Sequence, residues 1–267
     1  MADKVMGNCF LCGALSELQD SHFLPKHIYA RLESMVDRRN DHTTMLLTNE
    51  NVSRPLSRQL TEHYFCSLCE QMLRSKGEDY FSRDCLPIFN PEAPEKPKLL
   101  NSIQQIAIPN ANANSYDYRP NSGQLALNEE RQLLYFVISM FWRASLKWRN
   151  YNSINYPADI LEEMRLFLLG KKNTIETFKI FVDLPVDKLM YGVILPTELK
   201  YKGPKIEYLT HIPFYSFRLI PESKKNDEPS ILYGINQASQ DILFKLFNYK
   251  YEQKTERGQR PHTISWN

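Results

Sequence analysis

Apolar and polar residues follow two different rhythms in the second half of the chain, first helical and then alternating. Residues 133–148, LLYFVISMFWRASLKW, are apolar on most sides of a helix, which predicts a central core helix over residues 128–149. Asn128 is the expected N-cap, and Glu129 and Glu130 follow in the first turn, where the helix dipole favours acids. This stretch is therefore expected to organise the core.

The pattern becomes strand-like after a second helix, which is predicted over residues 157–169 and ends at Gly170. From Thr177 onward, short runs rich in β-branched and aromatic residues are separated by Pro, Gly and Asn, which is typical of strands. These runs read TFKIFVDL, MYGVIL, KIEYL, FYSFRLI and ILYGI. A last helix is predicted over residues 241–249. The second block is thus expected to be α+β, with an antiparallel sheet.

The first block differs in kind, because it contains four paired cysteines and four of the six histidines. Residues 90–97 contain three prolines and predict an extended connector, and residues 99–108 predict a short strand or helix. Residues 110–123 are rich in Asn, Ser and Gly and predict a linker. The sequence therefore predicts one domain over residues 1–109 and a second, of unknown role, over residues 124–267.

Composition is that of an ordinary globular protein, with 42% apolar and 24% charged residues. The formal net charge is only +2, so a nucleic-acid partner would have to be recognised by a local basic patch. The longest apolar stretch, residues 133–142 with only Ser139 interrupting, falls short of the roughly 20 residues of a membrane span. No apolar run follows the N-terminus, so we expect a cytoplasmic protein without membrane contact.

The paired cysteines predict a structural zinc site. Cys9 and Cys12 are separated by two residues and followed by Gly13, and Cys66 and Cys69 repeat the spacing. Two thiolates at this spacing can bind one ion, and two such pairs are a strong indication of zinc. Chance pairs of buried cysteines and redox dithiols are the weaker alternatives. The second pair is expected on the first turn of a helix. Cys85 is left over as a plain buried thiol.

Between the pairs lies Asp20-Ser21-His22-Phe23-Leu24-Pro25-Lys26, with His22 three residues before Pro25. A His-x-x-Pro motif between two CxxC pairs resembles the HNH (ββα-metal) endonuclease family over roughly residues 9 to 80. The resemblance implies an N-terminal treble-clef zinc domain of ββα type, in which the histidine is the general base. It also implies a catalytic Mg²⁺ or Mn²⁺ bound by an acid before the histidine and by a His or Asn after the last cysteine.

Carried over residue by residue, the resemblance places His22 at the base. Ser21 stands where the family has its acid, Glu70 lies near the final ligand position, and residues 61–63 read Thr-Glu-His where a middle Asn is expected. The motif therefore departs from the family at three of four functional positions. A magnesium site needs hard oxygen ligands, and Glu70 supplies a carboxylate in place of the one missing at Ser21.

Each of these residues also has a plainer reading. His22 can hydrogen-bond the knuckle or cap a turn, and Glu70 can be a helix-N-terminal acid favoured by the dipole. Asp41-His42 is a second acid–histidine pair, but no proline follows it at the right distance. The helix end around Trp142, Arg143 and Trp148 mixes aromatic and basic residues that can stack bases, although such ends are more often core on one face.

The expected function is a metal-dependent endonuclease that cleaves nucleic acid, DNA in the first place, and phage defence follows only by analogy. Basic residues between and after the cysteine pairs would face the nucleic-acid backbone: Arg31, Arg38, Arg39, Arg54, Arg58, Arg74 and Lys76. One alternative is a non-catalytic nucleic-acid-binding zinc module, which the missing acid at Ser21 favours. The other is a protein-interaction module whose second domain binds a partner through aromatic residues such as FYSF at 214–217.

Overall fold

The computed structural model describes residues 4–34, 45–47, 53–55, 59–86, 98–107, 118–184, 192–200, 206–222 and 228–235. The helix predicted over residues 241–249 and most of the predicted linker, residues 110–117, lie outside these ranges. The two-domain division itself stays a prediction. The described chain is a mixed α+β structure with five α-helices and two sheets.

The described chain has five α-helices, in the order that the sequence predicts. They are α1 Lys26–Ser34, α2 Ser67–Leu73, α3 Lys98–Ala107, α4 Leu127–Arg143 and α5 Ala158–Leu168. The helical path of α2 continues through two π-helical segments, Arg74–Glu78 and Phe81–Cys85. Residues 99–108, left open between strand and helix, form α3.

The strands fall into two sheets of unequal size. They are β1 Met6–Asn8, β2 Leu15–His22, β3 Met45–Leu47, β4 Ser53–Pro55, β5 Thr61–Cys66, β6 Phe178–Leu184, β7 Val193–Lys200, β8 Ile206–Ile212, β9 Tyr215–Pro221 and β10 Ile231–Ile235. The small sheet has the order β1-β2-β5 and is antiparallel throughout. The five runs after Thr177 give β6 to β10, as predicted.

The large sheet has the order β10-β6-β9-β8-β7-β3-β4 and is mixed. Its four central strands, β6, β9, β8 and β7, pair antiparallel, as the sequence predicts. On both flanks the pairing becomes parallel, between β10 and β6 and between β3 and β7. Strands β3 and β4 come from between the cysteine pairs, so that segment extends the sheet of the second block.

Helix α4 is the centre of the core, as its apolar pattern predicts: every residue from Leu133 to Arg143 is buried. The ring of Phe81, on the second π-helical segment, stacks on Phe136 of α4 with centroids 3.9 Å apart. Phe81 also contacts Tyr215 and Phe217 of β9 edge-on. One aromatic cluster therefore joins the path of α2, α4 and the large sheet.

Both ends of α4 differ from the prediction. The helix begins one residue before Asn128, and the Glu129 carboxylate caps it by accepting the backbone N–H of Ala126 at 2.9 Å. It ends at Arg143 instead of Arg149, and the Trp148 indole N–H donates to the Arg143 carbonyl at 2.8 Å. Trp148 also packs on Phe23, 5.1 Å between ring centroids. The residues after Arg143 thus form turns and tertiary contacts in place of the predicted last helical turns.

Candidate functional site

The first cysteine pair lies in the turn of the β1–β2 hairpin. The Gly13 N–H donates to the Cys9 carbonyl at 2.7 Å, and the Cys9 N–H donates to the Ala14 carbonyl at 2.8 Å. Gly13 adopts φ of +82°, a left-handed conformation that residues with a Cβ rarely take. The glycine after Cys12 thus permits the tight turn that brings both thiols to one side.

The second pair lies where β5 passes into α2. Cys66 is the last residue of β5 and the N-cap of α2, and Cys69 follows in the first turn. The Cys66 N–H also donates to the Cys9 sulfur at 3.4 Å, which ties the two pairs together. This is the helix-start position that the sequence predicts for the second pair.

The four sulfur atoms of Cys9, Cys12, Cys66 and Cys69 all lie within 4.8 Å of one another. Tetrahedral zinc with Zn–S bonds of about 2.3 Å would separate its sulfurs by about 3.8 Å, so the cluster fits one ion after a small contraction. The cysteines therefore form a cluster suited to a structural metal such as zinc. Cys85 is buried away from it, as expected.

The thiols of the cluster are not equivalent. Burial raises the pKa of Cys9, but N–H groups of Cys12, Cys66 and Leu11 donate to its sulfur and outweigh burial, so that its pKa falls to about 7. Burial raises the pKa of Cys69 well above the ordinary value, and the neighbouring cysteines add to this. The backbone is thus arranged to stabilise a thiolate on Cys9, whereas Cys69 needs a cation to ionise.

Beside the cysteine cluster lies a cleft of about 440 Å³. It is lined mainly by charged or imidazole-bearing side chains, which come from α1, the path of α2, the end of β2 and the end of α4. The lining residues are His22, Pro25, Lys26, His27, Glu70, Gln71, Arg74, Glu78 and Arg143. His22 and Glu70, 48 positions apart in sequence, thus border the same cleft.

His22 is the last residue of β2 and is half-buried. Burial lowers its pKa; Asp20 opposes this shift, whereas Lys26 adds to it. The imidazole is therefore neutral near pH 7 and able to accept a proton, which is the form that a general base requires.

Glu70 lies in the first turn of α2, directly after Cys69. Burial raises the pKa of its carboxyl group, while Arg143 and a hydrogen bond with Ser21 pull the pKa down. Its Oε1 atom is buried and has no hydrogen-bond partner among the described residues. A buried carboxylate oxygen without a partner is energetically costly, and a bound cation would relieve that cost.

Ser21 is fully buried and is not among the residues that line the cleft. Its hydroxyl accepts the Phe65 N–H at 3.2 Å and lies 3.2 Å from the Gln19 carbonyl. These contacts follow the register shift between Gln19 and Asp20, where β5 carries an extra residue. Ser21 therefore satisfies backbone groups at a bulge and also reaches Glu70.

Arg143 and Glu78 form a buried ion pair at the cleft that the sequence analysis did not assign to the site. An Nη2 N–H of Arg143 donates to Glu78, and the two side chains are 2% and 7% exposed. The pair depends on Gly77: a Cβ there would lie 2.8 Å from the backbone nitrogen of Phe136. The missing side chain lets the helical path carrying Glu78 lie directly against α4. No local sequence signal marks this contact, which joins residues 65 positions apart.

The remaining predicted features divide between the core and the undescribed chain. In the FYSF run, Tyr215 and Phe217 are fully buried and Phe214 is partly buried, and the run's role in binding a partner stays a prediction. Trp142 and Trp148 are buried as well, whereas Lys147 and Arg149 are exposed. The pair Asp41-His42, with Arg38, Arg39 and Arg58, lies outside the described residues.

Comparison with known proteins gives no significant match: no protein-family model fits the chain, and searches of curated proteins and of solved structures return no similar one. Within the described ranges, no helix has both the length and the apolar character needed to cross a membrane. The geometry of the cysteine cluster and the neighbouring cleft is therefore the basis for assigning function.

Proposed function

We propose that the chain is an HNH-like, metal-dependent nuclease that hydrolyses phosphodiester bonds of nucleic acid, DNA in the first place. The observation that carries the proposal is that His22 and Glu70 line one cleft beside the cysteine cluster. The order of elements also suits a treble-clef zinc domain: a cysteine-bearing hairpin, then β5, then a helix whose start carries the second cysteine pair.

In this proposal His22 is the general base. Its neutral imidazole takes a proton from a water molecule, and the resulting hydroxide attacks phosphorus while the bond to the leaving oxygen breaks. Its environment supports the assignment, because burial and Lys26 both disfavour the imidazolium before reaction. The water proton passes to His22, the leaving alkoxide takes a proton from solvent, and the products are a phosphomonoester and an alcohol.

Glu70 is the candidate ligand for a catalytic Mg²⁺ or Mn²⁺. Its buried, unpartnered Oε1 supplies the hard anionic oxygen that these ions prefer. A bound divalent ion would stabilise negative charge on the phosphate and the leaving oxygen. The Ser21 hydroxyl, which donates to the Gln19 carbonyl, lies close enough to Glu70 to lower the pKa of its carboxyl group, and Ser21 contributes to the site in this way.

A second candidate is a nucleic-acid-binding module that does not cleave, and the position of Ser21 favours it. The hydroxyl that replaces the family's acid is engaged by the backbone of β5, so Glu70 is the carboxylate left beside it. One carboxylate binds a divalent ion more weakly than two. The exposed cations Lys26 and Arg74 at the cleft would still attract a phosphate backbone.

The proposal is tested by incubating the zinc-loaded protein with DNA in Mg²⁺, in Mn²⁺ and without added divalent ion. We expect cleavage only with the divalent ion, and a large loss in Glu70→Gln that higher Mn²⁺ partly restores. Glu33→Gln, which alters an exposed carboxylate on α1, is the matched control. A fully zinc-loaded wild type that retards DNA in a salt-dependent way, yet cleaves neither DNA nor RNA, would instead establish the binding module.

A further inference from the structure

Arg143 is an unusual residue to find at this cleft. It is the last residue of α4, is only 1% exposed, and lines the cleft together with His22 and Glu70. Its guanidinium carbon lies 5.9 Å from the ring centroid of Phe65, so one side of the cation faces an aromatic ring. Burying a guanidinium is unfavourable unless its donors find acceptors.

Those donors are only partly used. An Nη2 N–H donates to Glu78, and Nη1 lies 3.5 Å from the Ser139 hydroxyl, at the limit of a hydrogen bond. The Nε atom is buried and has no acceptor in the part of the chain that the structure describes. Arg143 is therefore a buried cation with donor capacity left over, at the edge of the cleft.

Glu78 keeps that cation in place. Gly77 brings the π-helical segment against the backbone of Phe136, and this approach puts the Glu78 carboxylate within reach of Arg143. Glu78 is itself buried, so the pair is a built feature of the cleft. The charged lining then comprises Lys26, Arg74 and Arg143 against Glu70 and Glu78. Because Arg74 also pairs with Asp79, the capacity for an anion rests on Lys26 and on the unused donor of Arg143.

We propose that Arg143 binds a phosphate oxygen in this cleft, with Glu78 as the positioning residue that orients its guanidinium. The inference rests on the proposed function and adds a substrate-binding residue from α4, outside the region that carries the cysteine and histidine motifs. Guanidinium groups suit this role, because their planar donors match the oxygens of a phosphate. The site would then be complete only when α4 is packed against the path of α2.

The direct test is the Nε–H resonance of Arg143 in an NMR spectrum of the full chain with zinc bound, assigned by its absence in Arg143→Lys. Titration with inorganic phosphate, against chloride at equal ionic strength, should shift this resonance downfield. Substituting Arg143 alone strands Glu78, so the affinity test uses the double variant Glu78→Gln/Arg143→Met, which removes both charges. Arg149→Met, an exposed arginine nearby, is the control.

In the double variant, DNA affinity without divalent ion should fall on the order of 10-fold, as for one lost charge-assisted contact. The slope of log affinity against log salt should fall by about 0.9, as for one phosphate contact. An unmoved Nε–H resonance, or a folded double variant with unchanged affinity and slope, overturns the inference even if the wild type cleaves DNA. If the resonance shifts but the protein cleaves no nucleic acid, phosphate binding by Arg143 is supported and only the proposed nuclease activity is contradicted.

Discussion

Two regions of this molecule each bury an arginine, and the two side chains are held very differently. In the large sheet, Arg218 of β9 donates from Nε to Asp183 at 2.7 Å, from Nη1 to Glu207 at 3.0 Å and from Nη2 to the Tyr118 hydroxyl at 2.6 Å. At the cleft, Arg143 has one short bond, to Glu78, and a buried Nε without an acceptor among the described residues.

The two arginines differ in how many of their guanidinium nitrogens have a hydrogen-bond partner. All three nitrogens of Arg218 are used, and its guanidinium carbon lies 5.3 Å from the rings of both Tyr118 and Phe181, so nothing is left for a ligand to satisfy. The cleft, by contrast, contains two unsatisfied buried groups on charged side chains, Arg143 Nε and Glu70 Oε1, whereas the other buried atoms without a partner among the described residues are tyrosine hydroxyls, of Tyr29, Tyr80, Tyr156 and Tyr215. Proteins tolerate such groups mainly where function uses them.

The largest expected effect comes from breaking the cysteine cluster. Cys66→Ser should remove zinc and unfold the small sheet, because structural zinc binding contributes on the order of 10 kcal/mol to folding in zinc-finger peptides. Hydrogen exchange should show lost protection in β2 and the start of α2, while β6, β8 and β9 stay protected. Metal analysis should give one zinc per chain in the wild type.

The control is Cys85→Ala, which alters a buried thiol away from the cluster and should leave zinc content unchanged. Equal loss of protection in β8 and β9 on zinc removal would show that the two regions unfold as one unit.

Local sequence patterns predict several elements of the fold and the cysteine cluster, but neither of the two buried arginines. The cysteine spacing, the β-rich runs after Thr177 and the apolar stretch of α4 each carry a local pattern. The Arg143–Glu78 pair does not, because it depends on the close approach at Gly77 and on residues far apart in the chain. Likewise, three-residue strands such as β3 are defined by the strand they pair with, here β7, and not by their own composition.

The second prediction compares the two arginines directly. Arg218→Met should lower the free energy of unfolding by about 3–5 kcal/mol, because it removes the guanidinium that pairs with the buried carboxylate of Asp183. Arg143→Met should cost somewhat less, since Arg143 makes fewer hydrogen bonds than Arg218, and adding Glu78→Gln should restore most of the loss. Urea unfolding of the single and double variants measures both, with exposed Lys147→Met as the control. If Arg143→Met were as stable as the wild type, the Arg143–Glu78 pair would not contribute to the free energy of unfolding, which would contradict this prediction.

The third prediction concerns the cost of the unsatisfied carboxylate. Glu70→Met should stabilise the protein in the absence of divalent ions by about 1 kcal/mol at pH 7, because a half-buried carboxylate with one unpartnered oxygen gives way to an apolar side chain. The pKa of Glu70 is raised in the folded state, so the wild type loses stability as pH rises through that pKa and the variant does not. Its advantage should therefore grow with pH. If the midpoint temperature of thermal unfolding were lower for Glu70→Met than for the wild type at every pH, the unpartnered Glu70 oxygen would not be destabilising.

The smallest expected effect is the acid dependence of His22. Burial lowers the pKa of this histidine, so the folded chain binds its proton less tightly than the unfolded chain does. The wild type should therefore lose stability as pH falls below about 6.5, the ordinary value for histidine. His22→Gln should lose less between pH 7 and pH 5, as measured by denaturant unfolding, with exposed His63→Gln as the control. Parallel pH profiles for His22→Gln and the wild type would show that this burial has no energetic consequence.

The central claim is that the cleft carries out base-catalysed hydrolysis, and single-turnover DNA cleavage in Mn²⁺ tests it most directly. His22→Ala is compared with His27→Ala, a change at an exposed histidine that lines the same cleft. We predict that His22→Ala slows cleavage by about 10²–10⁴-fold with zinc content unchanged, as for loss of a general base, whereas His27→Ala stays near the wild-type rate. Cleavage by His22→Ala at the wild-type rate would place the chemistry elsewhere in the molecule.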